Sequence, residues 1–476
     1  MDSARPPPAF AECLFNPDLL AEILAHLTSD ADTPFARRAL LNTALSTQAF
    51  YEPAMRILWR HIDGLIPLLR LLPTFTFAHT VCDLGPVEPE HWAHFDRRAA
   101  CVREIHYHPA PPLARAVRTQ LARHRSPLLP NLVRVRCTAH TPVPAELALL
   151  VSLTLADVEW ASYSHGVGAR DKYFAALTAQ GVSLRRLALV RMHGAPSADF
   201  LRALVHLEDL EIWCFGEAVS EDRGQLLPAL RRLRILESPP ERLLAFLRSV
   251  ASDNLQSITI LDEGWDSVDV VDAPSQRAVC ELIAARWAPT LRSLELHTHL
   301  IDDVDSLQCC TQLTALALHC ATFPAARLLA LTRAWPALTA LTAPAAHGVD
   351  LAAPAQLAAQ LPRLTLLDAD LALTNILPPL PTTPALAHGL QRLVLHSLPP
   401  AAHDKPLLAC HLVRLFPRLD SIRSAGRVYG DAWSGVLDCV FGDAEGAGKH
   451  AYESALSPTV WHFQFQDPNV VWDMTF

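Results

Sequence analysis

The fold is decided by a short pattern that returns along the chain: LRRLALV at residues 184–190, LEDLEIW at 207–213, LRRLRIL at 230–236 and LQSITIL at 255–261. Each copy reads L-x-x-L-x-L, with Ile or another apolar residue sometimes replacing Leu. Subtracting the numbers of successive first leucines gives steps of 23, 23 and 25 residues. Apolar residues at every second position are typical of a β-strand with one buried face. The pattern therefore predicts one strand in each repeat.

More copies extend the pattern from about residue 100 onward. Further clear copies begin at Leu150, Leu291, Leu313 and Leu390, and weaker ones at Val102, Leu132, Leu338, Leu364 and Leu419. Some steps between copies are longer, and we interpret these as insertions. One of them contains the acidic segment from Asp262 to Asp272.

Helical periodicity fills the sequence between the copies. Apolar residues three and four apart occur in 241–250, 276–287 and 324–335, which predicts a short helix in each segment. Strands and helices that alternate at a fixed period indicate parallel strands stacked in chain order, with the helices on the outer side. No single unit can bury its own apolar face, so neighbouring units must stabilise one another.

In rhythm the repeats resemble leucine-rich repeats, whose period lies between ~20 and 29 residues. The resemblance implies an α/β fold in which residues 100–425 form a curved solenoid, with parallel strands on the concave face and helices outside. The Asn or Cys that usually follows the last Leu by three residues is missing; Met192 and Ser238 are among its replacements. A doubly wound α/β enzyme would also alternate strands and helices, and it remains the alternative.

Proline marks the boundary between units. The chain has 38 Pro but only 17 Gly. Six prolines stand two residues before the first Leu of a copy: Pro130, Pro228, Pro289, Pro336, Pro362 and Pro417. Because proline cannot extend a helix and biases its predecessor toward extended geometry, we expect it to end the outer helix and release the chain into the next strand.

Composition narrows the setting. A net charge of −9 without a lysine-rich run argues against a surface for nucleic acid or an anionic membrane. The 11 Cys include no C-x-x-C pair, which favours free thiols in a reducing compartment. No apolar stretch of ~20 residues is present, and the first residues lack the basic start of a signal peptide. We therefore expect a cytoplasmic or nuclear protein.

The N-terminal segment predicts three short helices. They read NPDLLAEILAHL from residue 16, ARRALLNTALSTQAF from residue 36 and PAMRILWRHI from residue 53. Pro53 is placed at the start of the third helix because proline is favoured at the first helical position. In order and spacing, residues 14–62 resemble an F-box, which begins with Pro and an acidic residue before L-L-x-E-I-L and ends with an apolar helix carrying Trp.

The F-box resemblance implies a substrate-recognition subunit of an SCF-type ubiquitin ligase. The F-box would bind the Skp adaptor, and through it a cullin, while the repeats would hold a target protein. A 45-residue helical segment is too small to bury all its apolar residues, so some must face a partner. The candidates for adaptor binding are Pro17, Leu19, Ile23, Leu24, Leu41, Leu45 and Trp59. For Leu24, Leu45 and Trp59 a purely internal role is the alternative.

The regions on either side of the repeats have their own predictions. Residues 63–99 contain the apolar run GLIPLLRLLPTF, which predicts a helical linker that caps the first repeat. Residues 426–476 lose the repeat pattern and are predicted to form an atypical C-terminal cap.

Strand alternation also predicts the target surface. Residues beside the last two apolar positions of a copy should point away from the core onto the concave face. In three successive copies these are Arg186, Asp209, Glu211, Trp213, Arg232 and Arg234. An exposed Trp among charged residues would be a plausible binding hot spot. The alternative is that the charges form cross-strand ion pairs with one another.

Enzyme motifs are absent or incomplete. The segment GDAEGAGKH at 442–450 has the wrong glycine spacing for a phosphate-binding loop and lacks its Ser or Thr. No G-x-S-x-G or H-E-x-x-H is present. We therefore expect no enzymatic activity, no cofactor and no metal. The competing function is a leucine-rich-repeat interaction scaffold without coupling to a ubiquitin ligase.

Overall fold

The computed structural model describes residues 19–20, 22–24, 34–78, 81–108, 112–138, 142–161, 167–190, 196–213, 225–236, 238, 240–261, 273–297, 304–319, 325–343, 352–369, 388–395, 405–424 and 440. The chain divides into two compact units, Met1–Ala321 and Thr322–Phe476. The expected C-terminal cap, 426–476, lies outside the described residues except for residue 440.

Short strands recur throughout the described chain. In the first unit they are β1 His61–Asp63, β2 Phe75–Ala78, β3 Val81–Leu84, β4 Glu104–Tyr107, β5 Arg134–Cys137, β6 Asp157–Ala161, β7 Arg186–Val190, β8 Asp209–Trp213, β9 Arg232–Leu236, β10 Ser257–Leu261, β11 Ser293–His297 and β12 Ala315–His319. In the second unit they are β13 Ala340–Ala343, β14 Leu366–Ala369, β15 Arg392–Leu395 and β16 Ser421–Ser424.

Helices separate most of the strands. The first unit contains α1 Pro34–Ser46, α2 Gln48–Leu58, α3 Ile66–Leu69, α4 Pro89–Ala99, α5 Arg115–His124, α6 Pro144–Leu147, α7 Val167–Ala179, α8 Ala198–Ala203, α9 Pro240–Ser249 and α10 Ala273–Trp287. The second contains α11 Ala325–Thr332, α12 Ala352–Gln360 and α13 Lys405–Leu415. The three helices predicted between repeats correspond to α9, α10 and α11.

The strands of the first unit form a parallel sheet in chain order, from β1 to β4 and then through β12, apart from the β2–β3 hairpin. The strands β13 to β16 of the second unit are also parallel and in chain order. A doubly wound sheet reverses its strand order at a switch point. The described strands show no reversal, so the enzyme-like alternative fold is excluded.

Each strand contributes the same two positions to the core. Within each unit, the second residue of a parallel strand pairs with the second residue of the next parallel strand, as Leu210 does with Leu233 and Leu233 with Ile258. These residues are at most 1% exposed. Inner-face helical residues such as Phe246 and Trp287 are also fully buried. The apolar residues whose alternation the sequence predicts therefore form the row that packs one repeat against the next.

Backbone hydrogen bonds repeat the same geometry at the start of each strand. Two consecutive amides donate to one carbonyl of the preceding repeat. The amides of Arg231 and Arg232 both donate to the carbonyl of Glu208, at 2.9 Å each. The next unit does the same, where Gln256 and Ser257 donate to Arg231 at 2.8 and 3.1 Å. These shared acceptors satisfy buried backbone groups where the chain turns into the strand.

Proline occupies one position of the turn before the strand. In Trp335–Leu338 the amide of Leu338 donates to the carbonyl of Trp335 at 3.1 Å, with Pro336 in the second position. The same four-residue turn surrounds Pro130, Pro228, Pro362 and Pro417. A fixed φ near −65° suits this position of a turn. At Pro289 the bond instead spans five residues, from Leu291 to Trp287.

One copy of the pattern was placed too early in the sequence. The copy predicted from Leu150 corresponds to a 3₁₀ turn and a surface segment, where Leu153 is 72% exposed. The strand begins at Asp157, and Leu155, Val158 and Trp160 supply its buried positions. Trp160 replaces the last Leu of the pattern, so the true copy did not match it.

The N-terminal helices differ from the prediction in their bounds. Residues 19–20 and 22–24 are helical, and α1 and α2 follow. Thr47 adopts extended geometry and separates α1 from α2, so α2 begins at Gln48 and encloses Pro53. The predicted helical end at Ile62 is instead strand β1.

The segment 63–99 is not simply helical. It contains the short helix α3, the antiparallel hairpin of β2 and β3, and helix α4. The parallel sheet also begins earlier than residue 100, because β1 pairs with β4. Ile62 is buried beside Ile105, as expected for a first repeat strand.

Among the helices that the structure describes, we find none with both the length and the hydropathy needed to cross a membrane.

The core row predicts the cost of substitutions in a strand. Leu233→Ala should lower the free energy of unfolding by about 2–5 kcal/mol, because it leaves a cavity between two units. Leu153→Ala is the matched control; its side chain is 72% exposed, and the change should stay below about 0.5 kcal/mol. Urea unfolding followed by circular dichroism measures both, and equal shifts would contradict the assigned core.

Candidate functional site

Several large apolar side chains are exposed on the N-terminal helices. We call Leu19, Ile23, Phe35, Leu41 and Leu45 the helical apolar face; they are 41%, 47%, 83%, 45% and 72% exposed. Leu19 and Ile23 are four residues apart, as are Leu41 and Leu45, so each pair lies on one side of its helix. Large apolar residues grouped at a surface indicate an interaction site.

Leu24 lies beneath that face rather than on it. It is 6% exposed and packs in a small core with Leu40, Ala44 and Ala54. The structure therefore favours the alternative for Leu24, a purely internal role. Leu24 and Ile23 are adjacent in sequence but lie on different sides of the helix. Leu24 faces α1 and α2, whereas Ile23 is exposed.

The two remaining adaptor candidates have different positions. Trp59 is half-buried at the C-terminal end of α2. Pro17 lies outside the described residues. The exposed Phe35 was not among the candidates, because it stands before the apolar periodicity of its helix begins.

A buried arginine joins the N-terminal helices to the repeats. Arg98, in α4, is 2% exposed and donates a hydrogen bond to the Tyr51 hydroxyl at 3.0 Å. The same guanidinium lies 3.7 Å from the Glu52 carboxylate. A charge buried this deeply requires its partners, so these contacts fix α2 against the first repeat.

The side of the sheet opposite the apolar row carries basic and acidic residues that alternate from strand to strand. The first residues of β1 and β4 to β9 form what we call the charge ladder: His61, Glu104, Arg134, Asp157, Arg186, Asp209 and Arg232. Parallel pairing sets these residues side by side. From Glu104 to Arg232, opposite charges thus meet at a spacing of ~4.8 Å.

Ion pairs run along this ladder. Arg134 lies 2.6 Å from Asp157 and 3.5 Å from Glu104. Burial alone would lower the pKa of Arg134, but these carboxylates outweigh it and raise the pKa. Asp209 similarly lies 3.1 Å from Arg232 and 3.9 Å from Arg186.

Three of the predicted target-binding residues therefore contact one another. Arg186, Asp209 and Arg232 are members of the ladder, as the alternative interpretation of cross-strand pairs predicts. Glu211 and Arg234 occupy the third position of their strands and are half-buried, with Glu211 facing Arg234 in register.

Trp213 does not have the predicted exposure. It is 6% exposed and packs against Leu236 and Leu261, with Val190 alongside. Its indole N–H donates to the Glu211 carboxylate at 3.2 Å. The fourth and fifth residues of these strands are both buried, so alternation ends before the strand does. An exposed tryptophan hot spot at this position is therefore wrong.

A buried carboxyl group lies outside both surfaces. Glu146 is 2% exposed, and its carboxylate accepts hydrogen bonds from the Tyr107 hydroxyl at 2.8 Å and the Leu113 amide at 2.7 Å. Burial raises the pKa of Glu146, while these hydrogen bonds and Arg118 oppose the shift. With its oxygens engaged, this group fastens the loop at Leu113 to the sheet.

No cluster of three His, Cys, Asp or Glu suited to a metal ion occurs in the part of the chain that the structure describes. The ladder members Glu104, Arg134 and Asp157 were missed from the sequence, because their strands belong to weak or misplaced copies. Their signal was the charge that stands two residues after the first apolar position.

The class of protein follows from this geometry. Parallel strands in chain order, one strand to each L-x-x-L-x-L copy, with helices between them, give each unit the architecture of a leucine-rich-repeat solenoid.

Comparison with solved structures finds proteins of low identity. A leucine-rich-repeat protein of Leptospira interrogans shares 14% identity, with 76% of this chain and 99% of that chain covered and a TM-score of 0.38. The TLR13–ssRNA13 complex shares 13%, covering 68% and 46%, with a TM-score of 0.37. The leucine-rich-repeat-containing protein LegL7 of Legionella pneumophila shares 14%, covering 71% and 98%, with a TM-score of 0.34.

No protein-family model matches the chain. No curated protein sequence matches it either.

The ladder predicts a measurable coupling between strands. In a double-mutant cycle, Arg232→Gln and Asp209→Asn should show a coupling of about 0.2–1 kcal/mol in the free energy of unfolding. The coupling should fall in about 1 M NaCl, because salt screens exposed charges. A coupling of zero at low salt would contradict the ladder and leave both residues available to a partner.

Proposed function

We propose that this chain is a substrate-recognition subunit of an SCF-type ubiquitin ligase. In this proposal the N-terminal helices bind the Skp adaptor, which connects to a cullin, and the repeats bind a target protein. The resemblance of residues 14–62 to an F-box motivates the assignment. The single observation that supports it best is the helical apolar face.

The helical apolar face supports adaptor binding because these large side chains stay exposed although a core has already formed beneath them. Leu24, Leu40, Ala44 and Ala54 already provide a core. The exposed residues are therefore not needed to complete that core. Burying a Leu, Ile or Phe side chain stabilises a complex by ~1.5–3 kcal/mol, so a few such residues could drive binding.

The contact through Arg98 supports the proposal because it connects the N-terminal helices to the start of the repeats. A receptor without bond chemistry acts by holding target lysines near the conjugating enzyme, which raises their effective concentration. That effect depends on a defined geometry between the adaptor site and the target site. Arg98, Tyr51 and Glu52 join α2 to α4 at the start of the repeats.

A second candidate is a leucine-rich-repeat scaffold without ubiquitin ligase coupling. The parallel sheet of repeat strands supports it, because that architecture presents a surface to a partner whether or not the N-terminal helices bind an adaptor. In that case the helical apolar face would bind another protein. Affinity purification with the proteasome blocked separates the two candidates: the ligase subunit recovers adaptor, cullin and an accumulating target together, whereas the scaffold recovers neither adaptor nor cullin.

Charge introduced into the helical apolar face should abolish adaptor capture. Ile23→Lys combined with Leu45→Lys removes two apolar contacts of ~1.5–3 kcal/mol each, which weakens binding by more than about 100-fold. Both side chains are exposed, so the circular dichroism spectrum should not change. Pull-down with purified Skp adaptor is the measurement.

The matched control is Leu153→Lys, a residue as exposed as Leu45 but located in the repeats. It should capture the adaptor like the unmodified chain. The proposal fails if the double variant still captures the adaptor, or if the unmodified chain never does.

A further inference from the structure

Five arginines occupy the same place in their repeats, immediately before the first residue of a strand. We call them the arginine row: Arg60, Arg103, Arg185, Arg231 and Arg292. All five are exposed. They are distinct from the charge ladder, which begins one residue later in each unit.

Backbone hydrogen bonds set the row in a line. The amide of Arg103 donates to the carbonyl of Arg60 at 2.9 Å. Farther along, Glu208 donates to Arg185 at 2.8 Å and Arg231 to Glu208 at 2.9 Å. The line continues through Gln256, which donates to Arg231, to Arg292, which donates to Gln256, at 2.8 Å each.

The row is a local excess of positive charge. In the described part of the chain, none of its five arginines forms an ion pair, whereas the ladder arginines Arg134, Arg186 and Arg232 do. In the strands between these five arginines, the residue at the same position is acidic at Glu208. Five positive charges and one negative charge therefore leave a positive excess of four. The whole chain carries −9, so this edge opposes the overall charge.

The spacing of the row indicates the shape of its ligand. From Arg60 to Arg292 there are eight strand steps of ~4.8 Å, or ~38 Å in total. Arg185, Arg231 and Arg292 are two steps apart, ~10 Å, which equals the span of about three residues of extended polypeptide. Val133, 37% exposed, adds an apolar contact within the row.

We propose that the arginine row binds an extended, carboxylate-rich segment of the target protein, laid across the strands at their N-terminal ends. Guanidinium groups suit carboxylates because they donate paired hydrogen bonds. The two-step spacing of Arg185, Arg231 and Arg292 favours carboxylates distributed along a chain over one phosphate group, which would require converging arginines. Single-stranded nucleic acid would use aromatic side chains for base stacking, and the described row positions contain none.

This inference rests on the proposed function in one respect, that the repeats hold a target. The test uses the purified full chain without adaptor, so adaptor binding does not enter the result. The probe is a fluorescein-labelled peptide of about twelve residues with Glu at every third position, a length that matches the row when extended. Fluorescence anisotropy at low and high salt measures its affinity.

The variant Arg185→Glu/Arg231→Glu/Arg292→Glu should weaken peptide binding by about tenfold or more, and salt should weaken binding to the unmodified chain. The matched control is Arg115→Glu/Arg123→Glu/Arg248→Glu, which makes the same charge change at exposed helical positions and should retain the affinity. Both variants should still capture the adaptor if the ligase proposal holds.

Several outcomes would overturn the arginine row as a polypeptide site. These are an equal loss in both triple variants, equal binding of a peptide with Gln in place of Glu, and no binding by the unmodified chain. A further one is tighter binding of a single-stranded RNA oligonucleotide that only the row variant loses, since the row would then be a nucleic-acid site.

Discussion

The shared backbone acceptor at the start of each strand is the constraint on which the rest of the structure depends. Two successive amides, such as those of Arg231 and Arg232, donate to one carbonyl of the unit before. This contact sets each strand beside its predecessor in a fixed register. Register then aligns the buried second residues into one apolar row, and it aligns the exposed residues as strictly. The repeats need no conserved Asn for this alignment, because side chains such as Thr290 and Ser252 also bond carbonyls of the preceding turn.

Alignment of the exposed residues separates the two sets of arginines. Ladder arginines stand beside carboxylates of neighbouring strands, and such ion pairs contribute little to stability. Arginines one residue earlier stand in the same line without ion pairs in the described structure. Arginines at two adjacent positions therefore differ in their pairing: those of the ladder form ion pairs, and those of the row, one residue earlier, form none in the described structure. The sequence pairs Arg185–Arg186 and Arg231–Arg232 contain one member of each set.

Sequence reasoning predicted the strands well, because L-x-x-L-x-L reflects burial directly. In copies from Leu184 onward the strand begins two residues after the first apolar residue, as it does after Leu207 and Leu230. The copy at Leu150 was misplaced, because Trp160 fills a leucine position and pattern matching ignores volume.

The candidate residues were harder to predict than the fold. Exposure was correct for Leu19, Ile23, Leu41 and Leu45, and wrong for Leu24 and Trp213. The burial of Leu24 depends on how three helices pack. The burial of Trp213 depends on where alternation ends in its strand, since the fourth and fifth residues are both buried. Neither is visible in a local pattern.

The central claim is that the N-terminal helices bind the adaptor and the repeats bind the target. Arg98 connects the two parts through its contacts with Tyr51 and Glu52. Hydrogen–deuterium exchange of the full chain, alone and with purified Skp adaptor, tests it most directly. The account predicts slower exchange in residues 34–58 on adding adaptor, with no change in strands β5 to β11. No protection anywhere, or protection confined to the strands, would contradict it.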